Sequence, residues 1–161
     1  MTELLTQAEY SALADSLDLP CSPFIDGKYQ IGHGPMMETN NPATGAIIAQ
    51  ISTANAQDVD FAVAKARESF DTGCWSKMDP DARKDVLIRL CKLITRNKRE
   101  LAVMESLESG KPIFDCETID LPETIHCIKW HAEATDKIYD QTAPTGDGAM
   151  AMLVREPIGV V

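Results

Sequence analysis

Three histidines, five cysteines and twenty-five carboxylates are the side chains in this 161-residue chain with the capacity for chemistry. Their spacing decides whether they use it. Cys127 and His131 stand four apart, an interval that puts two side chains on one face of a helix. A zinc site needs about four ligands, and nothing nearby supplies the others, so Cys127 reads as core packing and His131 as a surface or half-buried residue. A thiol nucleophile needs a base or a helix N-terminus beside it. Cys91 and Cys127 fall near apolar helix faces instead, and Cys74 and Cys116 take no assigned role. Gly32-x-Gly34 begins like a dinucleotide fingerprint, but the third glycine position falls on Met37, with no apolar strand before it and no helix after it. A loop is expected there. Glu105 and Glu108 read as a solvated helix face. The nucleophile elbow, the P-loop and the His-Glu-x-x-His pattern are all absent. The residues by themselves therefore show no catalytic constellation.

The elements that would position these groups follow from periodicity. Thr6 and Glu9 make a capping box ahead of Tyr10, Leu13 and Leu17, and Leu19-Pro20 ends that helix. Asp26-Gly27 suits a type I′ turn that pairs Phe24-Ile25 with Lys28-Tyr29. Asn-Pro-Ala-Thr-Gly at 41–45 is a turn, and Ala46 to Ser52 is a strand. Then the period becomes helical. Asn55 caps a helix that carries Val59, Ala62, Val63, Ala66 and Phe70 and stops at Gly73. Asp79-Pro80 is a cap followed by a first-turn proline, with Val86, Leu87, Leu90, Leu93 and Ile94 behind it. Lys98 to Ser109 is a third helix, ended by Gly110 and Pro112. From Ile113 to Tyr139 the pattern is helical again, with Ile125, Ile128, Ala132 and Tyr139 on its buried side. Pro122 either kinks this helix or starts a new one. Alternation returns at 149–154, and Glu156-Pro157 breaks it before Ile158-Gly-Val-Val161.

Composition narrows the class. A hydrophobic content of 44% with 25% charge is globular. The net charge of −10 argues against a nucleic-acid or anionic-membrane surface. No run is long and apolar enough to span a bilayer. The first residues, with Glu3, Glu9 and Asp15, lack the basic start of a signal peptide. Five scattered cysteines without a Cys-x-x-Cys pair suit a reduced, cytoplasmic protein.

Five segments occur in a recognisable order: FIDGKY, TNNPATGAIIAQIS, DVDFAVAKARESFDTGCWS, LESGKP and REPIGVV. From about residue 24 onward the chain resembles the front of aldehyde dehydrogenases. The stretches IKWHAEATDKIY and LVREPIGVV are most similar to members that oxidise γ-glutamylaminobutyraldehyde and other aminoaldehydes of polyamine breakdown. The resemblance implies an α/β fold, the front of a Rossmann-like cofactor-binding domain, incomplete, plus the start of an oligomerisation flap. It divides the chain into a helical extension (1–20), the front of the cofactor domain (21–140), a flap strand (141–156) and the start of a buried strand (157–161). It implies oxidation of an aldehyde to a carboxylic acid with NAD or NADP, by a cysteine nucleophile, an oxyanion-holding asparagine and a general-base glutamate. All three would lie beyond Val161, as would the cofactor-binding glycines, so the fragment is expected to be inactive and unable to bind NAD(P) alone.

The resemblance also implies a homo-oligomer contact through 149–155. Some members hold a structural cation, whose ligands map onto the Thr39-Asn40 backbone and the Glu108 side chain. The family more often has Asp at the position of Glu108. A second expectation is a non-catalytic module that adds its terminal strand to full-length subunits. The apolar ending favours the enzyme piece, because each Val or Ile there forgoes about 1.5–3 kcal/mol of burial if its sheet never forms.

Overall fold

The computed structural model describes residues 4–161. The first three residues of the 1–20 extension, Glu3 among them, lie outside the described residues.

The chain is mixed α/β, with helices in its middle and short antiparallel pairs on either side. Helix α1 (Gln7–Ser16) starts on the expected capping box, with Thr6 and Glu9 each bonding the other's backbone N–H. Strands β1 (Phe24–Ile25) and β2 (Lys28–Tyr29) form a hairpin around Asp26 and Gly27, both at positive φ. Strands β3 (Met36–Asn40) and β4 (Ile47–Ser52) make a second antiparallel pair. β3 was not evident from the sequence, since Met-Met-Glu-Thr-Asn lacks alternation and its order comes from the ladder to β4.

Helix α2 (Ala56–Thr72) has an Asn55–Asp58 capping box and ends at Gly73 in the left-handed region. Helix α3 (Pro80–Arg96) starts at the predicted proline, although the Asp79 side chain makes no capping bond. Helix α4 (Lys98–Ser109) has the predicted bounds and ends at Gly110, φ +75°. Beyond Pro112 the helical stretch expected to Tyr139 is three pieces: a turn, α5 (Ile113–Asp115); a π-helical turn, Cys116–Asp120; and α6 (Leu121–Ala134), so of the two alternatives at Pro122 a new helix is the one found. Pro122 lies in the first turn of α6, where its missing N–H costs nothing. The helix stops five residues short of Tyr139, which is exposed rather than buried.

The core is small. Ala102, Cys116 and Leu121 are buried together, with Ile94, Leu101 and Ile113 packed around them, so α3, α4 and the α5–α6 segment converge there. α6 lies on α3, where the Cys91 Sγ approaches the Ile125 carbonyl at 3.7 Å. Strands β5 (Gln141–Ala143) and β6 (Ala151–Leu153) form a third antiparallel hairpin within 141–156. Residues 157–161 enter no strand, and Ile158 is 90% exposed. No helix among the described residues is long and apolar enough to cross a membrane.

Candidate cation site and the buried carboxylates

Thr39 and Asn40 end β3. The ladder pairs Thr39 with Ala49, then shifts so that Asn40 pairs with Ile47. Such irregularities release backbone groups from the ladder and re-aim neighbouring side chains. Next comes the Asn41–Gly45 turn, closed by Gly45 N–H donating to the Asn41 carbonyl at 2.7 Å and by Ala43 N–H donating to Asn41 Oδ1 at 2.9 Å. Pro42 of this turn packs on Gly110, where an added Cβ would lie 2.8 Å from Pro42 Cγ. The contact draws the end of α4 to the end of β3. As a result Thr39 and Glu108 line one cavity of about 120 Å³, while Asn40 does not line it.

The Glu108 side chain has no hydrogen bond or ion pair among the described residues. Most of the remaining wall is apolar, including Leu19, Ile48, Ile51, Met104 and Leu107. A hard cation takes about six to eight oxygens. Thr39 and Glu108 alone do not supply that number, and the rest of the wall is mostly apolar.

The other sequence candidates are placed as follows. Cys91 is buried, as expected, but Cys127 is exposed. The buried stripe of α6 runs through Leu121, Ile125, Ile128 and Ala132, and Cys127 lies off that stripe. His131 shares its face: Nδ1 is 2.8 Å from the Cys127 carbonyl and 3.7 Å from its sulfur, both open to solvent. Gly32 and Gly34 belong to a loop. A Cβ on Gly32 would run into the Thr53 carbonyl, so close backbone packing, and not a phosphate cradle, explains that glycine. The loop is clamped by Asp58, which accepts from the His33 N–H at 2.8 Å and sits 2.6 Å from His33 Nδ1. The backbone bonds from His33 and Asn55, then the His33 ring, pull the Asp58 carboxyl down to about 2.

Glu105 is not simply a solvated helix face. Lys111 Nζ lies 3.7 Å from it and 2.6 Å from Asp120. Burial, and then the neighbouring Asp120, push the Glu105 carboxyl up. The residue that sequence reasoning missed is Glu117, only 1% exposed. Tyr10 donates its hydroxyl to Glu117 at 2.6 Å, and Arg99 Nε donates at 3.4 Å. Burial, then the Glu117 bond, raise the Tyr10 hydroxyl. A signal existed, because Ile113, Glu117 and Leu121 recur every four residues in an otherwise apolar stripe.

Residues 30–161 match the model described as "Aldehyde dehydrogenase family". The chain is 54% identical to an aminoacetaldehyde dehydrogenase of Pseudomonas aeruginosa, over all of this chain and 33% of that protein. An indole-3-acetaldehyde dehydrogenase of P. syringae, solved with NAD+ and IAA, superposes with a TM-score of 0.93 at 36% identity, covering 97% of this chain and 32% of that one. A gamma-glutamyl-gamma-aminobutyraldehyde dehydrogenase from Burkholderia cenocepacia superposes with a TM-score of 0.84 at 39% identity, covering 88% and 29%. The chain thus spans about a third of the length of these relatives.

Proposed function

The chain belongs to the aldehyde dehydrogenase family, and from that premise we propose that it is the front third of a subunit that oxidises aminoaldehydes to carboxylic acids with NAD(P)+. The observation that carries this reading is the 54% identity to an aminoacetaldehyde dehydrogenase across the entire chain. Its own part is support. The β1–β2 hairpin, the β3–β4 pair and the helices scaffold the remainder of a cofactor domain, and no residue between 4 and 161 takes a catalytic or NAD(P)-contacting role. The five free cysteines suit a cytoplasmic, reducing setting.

Thr39 and Glu108, which line one cavity, are assigned as donors to a structural cation, and Asn40, which does not line that cavity, would contribute only through its backbone beside Thr39. The other oxygens would come from water or from chain outside these residues. The 149–155 segment is assigned to homo-oligomer contact. In support, Met150, Met152, Leu153 and Val154 are all exposed, and β6 pairs only with β5 among the described residues.

The test is an assay of the natural-length protein and of residues 1–161 alone with aminoacetaldehyde and either NAD+ or NADP+. The longer protein is expected to make NADH or NADPH, and the 161-residue chain is expected to make none. Sustained reduction by the short chain would overturn the division of labour, and inertness of the long protein toward every aminoaldehyde would overturn the substrate class. The exposed apolar face of β6 also favours a second reading, a short chain that pairs with full-length subunits. Co-purification with an intact subunit tests it, and failure to bind one at micromolar concentration excludes it.

A further inference from the structure

We infer that Glu105, Cys116 and Asp120 form a binding site for a thiolate-seeking divalent metal ion of the zinc class, in which Lys111 is the cation that the metal displaces. One ligand atom from each of the three residues lies within 4.8 Å of the other two. A tetrahedral ion about 2.0–2.3 Å from each donor needs donors about 3.3–3.8 Å apart. Small rotations of the two carboxylates close that gap, since Glu105 and Asp120 keep 33% and 26% of their side-chain exposure.

A pair of carboxylates alone would not make a site, and the observation that points to a ligand is the thiol. Cys116 is completely buried, and its sulfur makes no hydrogen bond to another residue among those described. On one side it meets Ala102 and Leu121 of the core, and on the other the two carboxylates.

The backbone supports the same assignment. Cys116 and Asp120 open and close the π-helical turn, the one interruption between α5 and α6. Wide turns of this kind occur often where side chains must converge. The cluster already draws a cation, because the Lys111 ammonium stands 2.6 Å from Asp120 and 3.7 Å from Glu105. Its side chain is half exposed, so an outward swing would place the ammonium in solvent. Binding would transfer the Cys116 thiol proton to solvent as the sulfur–metal bond forms, and a water would fill the fourth position. Sulfur among the donors selects zinc-like ions over Mg²⁺ or Ca²⁺.

The experiment is a Cd²⁺ titration of the metal-free protein at its natural length, followed by sulfur-to-cadmium charge-transfer absorbance and by competition with Zn²⁺. The difference between wild type and Cys116→Ser isolates this sulfur from the other cysteines. One equivalent of the band is expected in wild type and none in Cys116→Ser. Asp120→Asn, which keeps the thiol, is expected to weaken binding, and Lys111→Met to tighten it severalfold by removing the competitor. A role confined to packing or to the Lys111 ion pairs would not produce the Lys111→Met gain. Equal titration of wild type and Cys116→Ser, undiminished affinity in Asp120→Asn, or no gain in Lys111→Met would each overturn the assignment.

Discussion

Two carboxylates with opposite surroundings make the predictions that belong to single residues. Glu117 is buried and depends on the Tyr10 hydroxyl. Tyr10→Phe keeps the ring and removes the donor, so a charged acceptor loses a bond worth about 1.5–3 kcal/mol. Urea unfolding of the natural-length protein should show that loss, and detachment of α1 should speed proteolysis near Leu17–Leu19. Asp58 differs in being anchored by backbone N–H groups and by His33 near the surface. Its folded-state value of about 2 lies below the ordinary 3.8. The stability it contributes is therefore complete above about pH 4 and is lost as pH falls toward about 2. Asp58→Asn should flatten the acid limb of a stability-versus-pH curve in that window, and an unchanged limb would count against the clamp. Neither role was fully legible in the sequence. The stripe of Ile113, Glu117 and Leu121 marks Glu117 as inward-facing, but its partner Tyr10 stands 107 positions away and is not legible. Asp58 was legible only by position, as the third residue of a helix capped by Asn55.

Elements were far more legible, and for a local reason. Caps and glycine stops act within one turn, so the bounds of α2 and α4 and the β1–β2 turn could be read from the residues alone. Where tertiary contact decides, local signals failed. The π-helical turn carries both Cys116 and Glu117 inward, and α6 ends at Ala134 without a glycine to mark it. The Gly110–Pro42 contact gives a test at this scale. Gly110→Ala imposes a left-handed alanine, costing about 1–2 kcal/mol, and also pushes Pro42 away from the end of α4. Thr39 and Glu108 would then separate. A drop in melting temperature, together with weaker protection by monovalent or divalent salts, is the expected result if the cation assignment holds.

At the scale of the whole molecule, apolar surface is the dominant fact. Val59 and Val63 of α2, Phe24 and Tyr29 of the first hairpin, and Ile158 of the tail are all exposed. Val59 and Val63 belong to the apolar face expected of α2 and Ile158 to an expected buried strand, yet all three are exposed. Surfaces of this kind mark interfaces or association-prone states. We expect residues 1–161 expressed alone to bind a hydrophobic dye and to melt without a sharp transition. A cooperative, concentration-independent melt would show that the chain is self-sufficient.

The β5–β6 hairpin leads in a different direction. Its base is tied, since Arg155 N–H donates to Asp140 Oδ1 at 3.1 Å and the Arg155 guanidinium donates to the Tyr139 carbonyl. At its tip, an added Cβ on Gly146 or Gly148 would touch nothing. A loop with a fixed root and an empty crown tolerates extra chain. An epitope or a short fluorescent-labelling peptide spliced between Gly146 and Gly148 should leave the strands paired below it. This turns the hairpin into a handle by which the protein can be immobilised or followed.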